Sequence, residues 1–327
     1  MYGGSSPSSS SFSLLLNQVS SLFGTLGCII IALLFIACSS NEVGKDIPDF
    51  DSDLAYQYII DQCNFGPRNP GSIGHEQFAK FLENFLSNMS DQVIIQDFNY
   101  TEHITGENRI GRNIIAQFNI EANQRLLIGA HWDTRAYSDE DTNPENKSIP
   151  ILGANDGASG TAVLMELATI FSNNPPPIGI DLVFFDAEDV GISGQPTTYA
   201  MGSEYFSKNL PIQKPNSAII VDMVGDKYLN IPIERYSYSV NPDMVKEIWS
   251  LANKLGLNAF EYKVGYDIYD DHVPLWENAK IPAIDIIDFD YPNLFYNYWH
   301  TQKDIPENCS PQSLQQVGTL LLNYIYD

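Results

Sequence analysis

The sequence predicts an α/β fold in which a mostly parallel, twisted central sheet carries helices on both faces. Short apolar segments of the strand type alternate along the chain with longer segments whose apolar residues recur at helical spacing. Carboxylate and imidazole side chains follow the ends of several strand-type segments, which is where parallel sheets bind ligands. Both patterns run through residues 51–327, which we therefore expect to form one catalytic domain.

The individual elements follow from local patterns. Loops are expected over Phe65–Gly74 and Ala136–Ile149, which are rich in Gly, Pro, Asn or Asp. The segments with helical spacing are Asp51–Cys63, Gly74–Met89, Ala158–Phe171, Pro242–Leu255 and Ser313–Tyr326. The strand-type segments are Val93–Phe98, Asn113–Phe118, Arg125–Ala130, Asp181–Phe185, Ser217–Val221 and Ala283–Ile287.

The N-terminal region is typical of an export leader. The first 41 residues contain no Asp, Glu, Lys or Arg, and Leu26–Ala37 is a run of 12 largely apolar residues. A membrane span needs about 20 residues, so the run fits the apolar core of a signal peptide better. Residues 1–37 are predicted to be this leader, and residues 38–50 a tether to the domain. The protein is then exported to the periplasm or cell envelope.

Cys38 gives this leader a second interpretation. The segment Phe35–Ser40 resembles a bacterial lipoprotein cleavage box, in which Cys38 becomes the lipidated N-terminus. Contact with a membrane is expected only through that lipid, and an ordinary leader is the alternative. Outside the leader, Cys63 and Cys309 could pair in an oxidising compartment, but spacing along the chain does not show whether they meet.

The charge balance excludes one class of partner. The chain has 41 acidic against 17 basic residues, a net charge of −24, and it has no cluster of Lys or Arg. Binding to nucleic acid requires a basic surface that neutralises phosphates, so no nucleic-acid partner is expected.

Five side chains of the kinds that bind metal ions close or follow apolar segments, and a further acid, Glu188, lies beside one of them. Zinc takes imidazole nitrogen and carboxylate oxygen. Successive side chains of an extended segment point apart, so Asp189 can bind a metal while Glu188 faces a substrate. The pattern predicts a zinc hydrolase type of site, with Asp133 holding one imidazole. The five residues are His131, Asp156, Asp189, Asp222 and His300.

A second acidic group is Asp270-Asp271-His272. Two carboxylates close together can share a proton, which raises the pKa of one of them. An exposed surface loop is the alternative explanation for these residues.

At these residues the chain resembles the glutaminyl cyclases of the zinc aminopeptidase-like superfamily, specifically the bacterial members that are similar to the animal enzyme. The likeness extends from about Asp51 to the C-terminus. It is carried by GAHWDTR (Gly129–Arg135), PILGANDGASG (Pro150–Gly160), DLVFFDAED (Asp181–Asp189), VDMVGD (Val221–Asp226), DDH (Asp270–His272) and YWHT (Tyr298–Thr301).

The resemblance implies a zinc aminopeptidase-like fold and one zinc ion per chain. By motif position the ligands would be Asp156, Asp189 and His300, and Glu188 would be the general acid and base. The animal enzymes carry Glu where this chain has Asp189, so the ligand is kept with one methylene less.

The remaining implied roles concern the substrate. Asp222 and Asp270 match a hydrogen-bonded carboxylate pair, and Trp299 and Phe295 match residues that line the substrate pocket. The animal enzymes also carry a Trp shortly after the second ligand, which is missing here from Gly191–Pro196. We expect Trp132 or Trp276 to supply that wall of the pocket.

The implied reaction converts an N-terminal glutaminyl residue of a peptide or protein to pyroglutamate and ammonia. Zinc would polarise the γ-amide while Glu188 transfers the proton. One alternative is a di-zinc aminopeptidase, in which His131 and Asp222 hold the second ion instead of supporting the first. Another is an inactive, peptidase-like binding ectodomain. One, two or no zinc ions per chain would distinguish the three.

Overall fold

The computed structural model describes residues 1–4 and 47–327 of the chain. The chain divides into two units, Met1–Asp46 and Ile47–Asp327. The predicted leader beyond Gly4, Cys38 and most of the tether lie outside the described residues. Met1–Gly4 form no helix or strand, and the second unit carries the fold and the site.

Ten strands and eight α-helices are described in the second unit. The strands are β1 Gln92–Thr101, β2 Asn108–Phe118, β3 Arg125–His131, β4 Gly179–Phe185, β5 Ser217–Asp222, β6 Ile231–Ile233, β7 Phe260–Val264, β8 Ala283–Ile287, β9 Pro292–Asn293 and β10 Tyr296–Asn297. The helices are α1 Ser52–Asn64, α2 Ile73–Ser87, α3 Ala158–Asn173, α4 Met201–Lys208, α5 Arg235–Val240, α6 Pro242–Leu255, α7 His272–Ala279 and α8 Pro311–Tyr326.

The central sheet has six strands in the order β1-β2-β4-β3-β5-β8. Strands β4, β3, β5 and β8 pair in parallel, whereas β2 is antiparallel to both of its neighbours. The predicted mostly parallel sheet is confirmed, with one hairpin added at its edge. The four parallel strands direct their carboxyl ends to the same side, which positions the residues that follow them.

Both faces of the sheet are covered, as predicted. Along β5, Ile219 and Val221 belong to one apolar core, and Ile220, between them, belongs to the other. The first core is shared with α1, α3, α6 and α8, and the second includes Phe206 of α4 and Leu275 of α7. Alternate side chains of a strand point to opposite faces, so a fully apolar strand is buried on both sides.

Several helices begin with a polar capping side chain. The side chains of Asp51, Ser72, Asn241 and Ser310 each accept a hydrogen bond from a backbone N–H in the first turn of α1, α2, α6 and α8. Such a cap satisfies an N–H group that the helix itself leaves without a partner, which is worth about 1 kcal/mol.

Three findings extend or correct the sequence predictions. Helices α4, α5 and α7 were not predicted. Asp270 and Asp271 are buried just before α7, which excludes an exposed loop. Cys63 and Cys309 are both buried free thiols and form no disulfide. Among the residues described, no helix combines the length and the apolar character needed to cross a membrane.

Candidate metal centre and catalytic pocket

The predicted metal-type residues converge at the carboxyl edge of the sheet. His131 is the last residue of β3, and Asp222 is the last residue of β5. Glu188 and Asp189 lie just beyond the end of β4, and Asp156 lies in the glycine-rich turn before α3. These segments are far apart in sequence and meet only because the strands that precede them are parallel neighbours.

Asp156, Asp189 and His300 form a compact group whose ligand atoms all lie within 4.8 Å of one another. His300 Nε2 lies 3.1 Å from Asp189 Oδ1 and 3.6 Å from Asp156 Oδ2. Asp156 Oδ2 and Asp189 Oδ2 are buried without a hydrogen-bond partner. Buried polar atoms nearly always have a partner, and two carboxylates with one imidazole are a common zinc donor set. The residues therefore fit a divalent metal ion.

A second group shares one member with the first. The ligand atoms of His131, Asp156 and Asp222 also lie within 4.8 Å of one another. His131 Nε2 is 3.2 Å from Asp156 Oδ1 and 3.1 Å from Asp222 Oδ1. Asp156 thus offers one oxygen to each group, and the geometry accommodates one or two ions.

The two imidazoles lie in a strongly negative field. Burial alone lowers the pKa of His300, but the carboxylates of Asp189 and Asp139 outweigh it and raise this pKa to about 9. Burial likewise lowers the pKa of His131, and Asp222, Asp133 and Asp156 raise it well above its usual value. The surroundings therefore favour a positive charge on each ring, and a bound metal ion would supply that charge in place of the proton.

Glu188 is the acid best suited to proton transfer. Burial raises the pKa of its carboxyl well above the ordinary value; His131 opposes this effect, and Asp270 and Asp189 add to it. Glu188 also lines a cavity beside the first metal group. A carboxyl group with a raised pKa can hold and release a proton near neutral pH, which general acid and base catalysis requires.

Two buried aspartates fix the segments that carry the metal-type residues. Asp133 accepts hydrogen bonds from the backbone N–H groups of Glu188 at 3.0 Å and Asp189 at 3.2 Å. Asp304 does the same for Asn155 at 2.7 Å and Asp156 at 3.2 Å. Each carboxylate satisfies two successive N–H groups of an irregular segment and so fixes the direction of its side chains.

Asp133 also meets the imidazole that it is predicted to hold. Its Oδ1 lies 3.5 Å from His131 Nδ1, at the long end of the hydrogen-bond range. Asp133 therefore has a second role besides the predicted one, because its two oxygens also accept hydrogen bonds from the backbone of Glu188 and Asp189.

Arg135 supports Asp189 through both its backbone and its side chain. Its Nη1 donates to the carbonyl oxygens of Asp189 and Gly191, both at 3.1 Å, and lies 3.3 Å from Asp189 Oδ1. Its Nη2 donates to Asp139 at 2.6 Å. This buried guanidinium offsets part of the negative charge and holds Asp189 in place.

Three residues at the site have a left-handed backbone without being glycine. Ala187, Met223 and His300 have φ values of 57°, 50° and 54°. This conformation costs roughly 1–2 kcal/mol per residue for an L-amino acid. Ala187 precedes Glu188, Met223 follows Asp222, and His300 is itself in the first metal group. The strain is concentrated where the chain turns sharply to direct functional side chains into one space.

The cavity beside the metal groups has a volume of about 690 Å³. Trp299 lines it and stacks on the His300 ring at a centroid distance of 3.6 Å. Phe295 lies at its mouth and is 90% exposed. The prediction that Trp132 lines the pocket is wrong, because this side chain is fully buried and stacks on His75. Trp276 packs under Lys280 and does not line the pocket either.

Asp222 and Asp270 both line the cavity. Burial and the nearby Asp222 carboxylate together raise the pKa of Asp270 to about 6. Asp270 Oδ2 has no hydrogen-bond partner among the described residues. The structure thus brings the predicted pair to one cavity, and the hydrogen bond between them, which requires a shared proton, stays a prediction.

Sequence reasoning missed three contributors to this site, namely Asp304, Arg135 and Tyr199. Asp304 follows His300 by four residues, a spacing that could have marked it. Arg135 lies inside a motif segment but was given no role. Tyr199 lines the cavity and lies over the Arg135 guanidinium at 5.6 Å. It occurs in a polar segment without periodicity, so no local signal could have identified it.

Comparison with known proteins identifies the family and the fold. The model of peptidase family M28 matches residues 113–325. A solved structure of Tannerella forsythia glutaminyl cyclase is 38% identical, covers 86% of this chain and 99% of its own, and has a TM-score of 0.82. A structure of a Zn-dependent exopeptidase from Parabacteroides distasonis is 36% identical, with the same coverage and a TM-score of 0.82.

Among curated proteins, the glutaminyl-peptide cyclotransferase of the snake Boiga dendrophila is 21% identical over 293 residues. The match covers 80% of this chain and 77% of that protein. The zinc aminopeptidase-like fold predicted from the sequence is confirmed by these neighbours, and glutaminyl cyclisation is the activity that they support in general terms.

Proposed function

The chain belongs to peptidase family M28 and resembles its bacterial glutaminyl cyclases, and from this membership we propose that it is a zinc-dependent glutaminyl-peptide cyclotransferase. It converts N-terminal glutaminyl residues of peptides or proteins to pyroglutamate with release of ammonia. The observation that carries the proposal is the position of Glu188, a buried carboxyl with a raised pKa in the same cavity as the Asp156–Asp189–His300 group and Asp270.

In this proposal Asp156, Asp189 and His300 would hold a single divalent ion, which would supply Lewis-acid polarisation of the γ-amide carbonyl. Glu188 takes a proton from the α-amine as this amine attacks the carbonyl carbon, and then delivers it to the departing ammonia. Asp270 and Asp222 face the same cavity and hold the amide nitrogen by hydrogen bonds.

The cavity itself supplies the second part of catalysis. The attacking amine and the amide belong to the same residue, so the reaction needs no second substrate. Trp299 confines the glutaminyl side chain beside the metal group, which favours the folded rotamer from which the ring closes. The depth of Glu188 in the cavity limits the access of water, which would compete as a nucleophile.

The second candidate is a di-zinc aminopeptidase. The complete His131–Asp156–Asp222 group favours it, because Asp156 could bridge two ions. An inactive binding ectodomain is the third candidate. Loss of a metal ligand would favour it, but all three ligands of the first group are present. Asp270 favours the cyclase, since this buried carboxylate lines the cavity beside Glu188 and belongs to neither of the two groups that would hold these ions.

The deciding experiment compares two peptides that differ only at the first residue. We expect a Gln-initiated peptide to lose the mass of one ammonia, and an Ala-initiated peptide to remain intact. Enzyme treated with a chelator, and then with zinc, serves as the control. Release of free Ala and of free Gln would instead identify an aminopeptidase, and absence of any reaction would favour the binding ectodomain.

We also propose that the protein works outside the cytosol, anchored by a lipid on Cys38. The support is the uncharged apolar leader and the cleavage-box pattern in the sequence. Fatty-acid labelling of the full chain, with Cys38→Ser as the comparison, tests it. Labelling that persists in Cys38→Ser would contradict the assignment. The expected partners are peptides or proteins with an N-terminal Gln, and we expect no binding to nucleic acid.

A further inference from the structure

A short hairpin projects beside the mouth of the catalytic cavity. Strands β9 and β10 pair antiparallel, with Asn293 opposite Tyr296, so that Leu294 and Phe295 form the tip. Asn293 Oδ1 accepts a hydrogen bond from the Phe295 backbone N–H at 3.0 Å, which fixes the turn. The tip side chains are 73% and 90% exposed. An ordered turn that presents large apolar side chains to solvent is typical of a contact surface.

The hairpin has a cavity on each side. The first is the catalytic cavity of about 690 Å³, which is several times larger than one glutaminyl side chain. The second has a volume of about 350 Å³ and is formed with Tyr228 and Asn230. Four residues line both cavities and therefore form the ridge between them. They are Asp290, Asn293, Leu294 and Phe295.

The charged side chains around this ridge are acidic. Asp290 faces both cavities, and Asp267 faces the first. No Lys or Arg lines either cavity among the described residues. In the same part of the chain, the Asp290 carboxylate has no ion-pair partner and no hydrogen-bond donor. Only the Asp290 backbone N–H forms a hydrogen bond, to the Asp288 side chain. This carboxylate is free to bind an external cation, and the overall charge of −24 attracts one.

The second cavity joins an apolar wall to that carboxylate. The 73% exposed ring of Tyr228 and the tip residues form the wall, and Asp290 lies between the two cavities. A long basic side chain matches both parts, because its methylene stem packs on apolar surface while its charged head reaches a carboxylate or an aromatic face. An acidic side chain would be repelled, and an uncharged one would use only the wall.

We propose that the second cavity is a subsite for an Arg or Lys side chain at one of the two positions that follow the N-terminal Gln. The inference rests on the proposed function, because it assigns the substrate class of the same site. The enzyme then prefers basic peptides, with Asp290 and Tyr228 as the specificity-determining residues. A cation–π contact and a surface ion pair each contribute little, so we expect a preference of about fivefold to tenfold.

The test uses Gln-initiated peptides with Arg, norleucine, Ala or Glu at position two or at position three. Norleucine keeps the apolar stem and removes the charge. At one of the positions, kcat/KM should be about fivefold to tenfold higher for Arg than for norleucine, and lowest for Glu. Equal values for Arg and norleucine at both positions would overturn the inference.

Variants separate the two parts of the subsite. Asp290→Asn should bring the Arg to norleucine ratio close to one. Tyr228→Ser should lower kcat/KM for both peptides relative to the Ala peptide. Asp243→Asn is the matched control, because this 97% exposed carboxylate lies on α6 and lines neither cavity. An equal effect of Asp290→Asn and Asp243→Asn on the ratio would show that only the net charge matters, which contradicts the subsite.

Binding measurements test the subsite independently of the reaction. Calorimetry with the Glu188→Gln variant gives the Kd of each peptide without turnover. If no Gln peptide releases ammonia but Arg peptides bind more tightly than norleucine peptides, the cyclase proposal fails and the subsite stands. If ammonia is released while all peptides bind equally, the subsite fails and the cyclase stands.

Discussion

Asp133 and Glu188 are joined by a hydrogen bond from the Glu188 backbone N–H to Asp133 Oδ1 at 3.0 Å, while Asp133 Oδ2 accepts from Asp189 at 3.2 Å. Both oxygens of one buried side chain thus hold the two-residue segment that carries the proposed acid–base group and a proposed metal ligand. The contact replaces the regular backbone pairing that ends with β4, just before this segment. It fixes the relative positions of two groups that must act on one substrate.

The first prediction concerns this contact. Asp133→Asn presents an amide NH₂ group to one of the two backbone N–H donors, which leaves one donor without a partner. We expect zinc affinity to fall about 10- to 100-fold, as for other groups that orient metal ligands. Competition with a chelator measures it. Asp97→Asn, on the exposed face of β1, is the control, and equal zinc affinities of the two variants would contradict the role.

The second prediction tests the proton carrier. Glu188→Gln keeps the shape of the side chain but cannot exchange a proton, so ammonia release should fall at least about 100-fold. Zinc content should stay the same, because Glu188 is not in either metal group. Glu261→Gln on exposed β7 should leave ammonia release unchanged. Activity close to that of the unmodified enzyme in Glu188→Gln would show that another group carries the proton.

A third pair of variants counts the metal ions. If one ion is held by Asp156, Asp189 and His300, His300→Ala should lose zinc, whereas His131→Ala should keep about one ion per chain. Elemental analysis after dialysis gives the number. A decrease from two ions to one in His131→Ala would instead establish the two-metal site and favour the aminopeptidase.

The fourth prediction concerns the pH dependence of stability away from the site. Glu166, buried on α3, has an unpartnered Oε2, and burial raises the pKa of its carboxyl from 4.5 to about 7. The unfolded chain releases this proton at a lower pH than the folded one, so stability falls as pH rises from about 4.5 to 7 and stays low above it.

Glu166→Gln removes this effect. The difference between the unfolded-state pKa of 4.5 and the folded-state pKa of about 7 sets an upper limit of about 3 kcal/mol, and partial access of water reduces it to roughly 1–2 kcal/mol. We expect the variant to be more stable than the unmodified protein at pH 8 and equally stable at pH 4. Urea unfolding at both pH values measures this, with exposed Glu247→Gln as the control. A gain at pH 4 equal to that at pH 8 would exclude titration of Glu166 as the cause.

Local sequence patterns were sufficient to predict those strands and helices that a short segment specifies by itself. The predicted strand Arg125–Ala130 and the observed β3, Arg125–His131, differ by one residue. The apolar period and the flanking turn residues define such a segment without reference to the rest of the chain. Helix α7 was missed because its eight residues include Pro274 and begin at buried acids, so no helical period is visible. Its position comes from packing against β5 and β8.

The sequence by itself determined which side chains could bind a metal and that they follow parallel strands, because residue type and strand ends are local properties. Only the tertiary structure decided what each group does there. It placed Asp133 against the backbone of Glu188 as well as beside His131, removed Trp132 from the pocket, and brought Asp304 and Arg135 to the site. The physical reason is that hydrogen bonds and burial depend on distances between segments that are remote in sequence, and these distances exist only after the sheet has assembled.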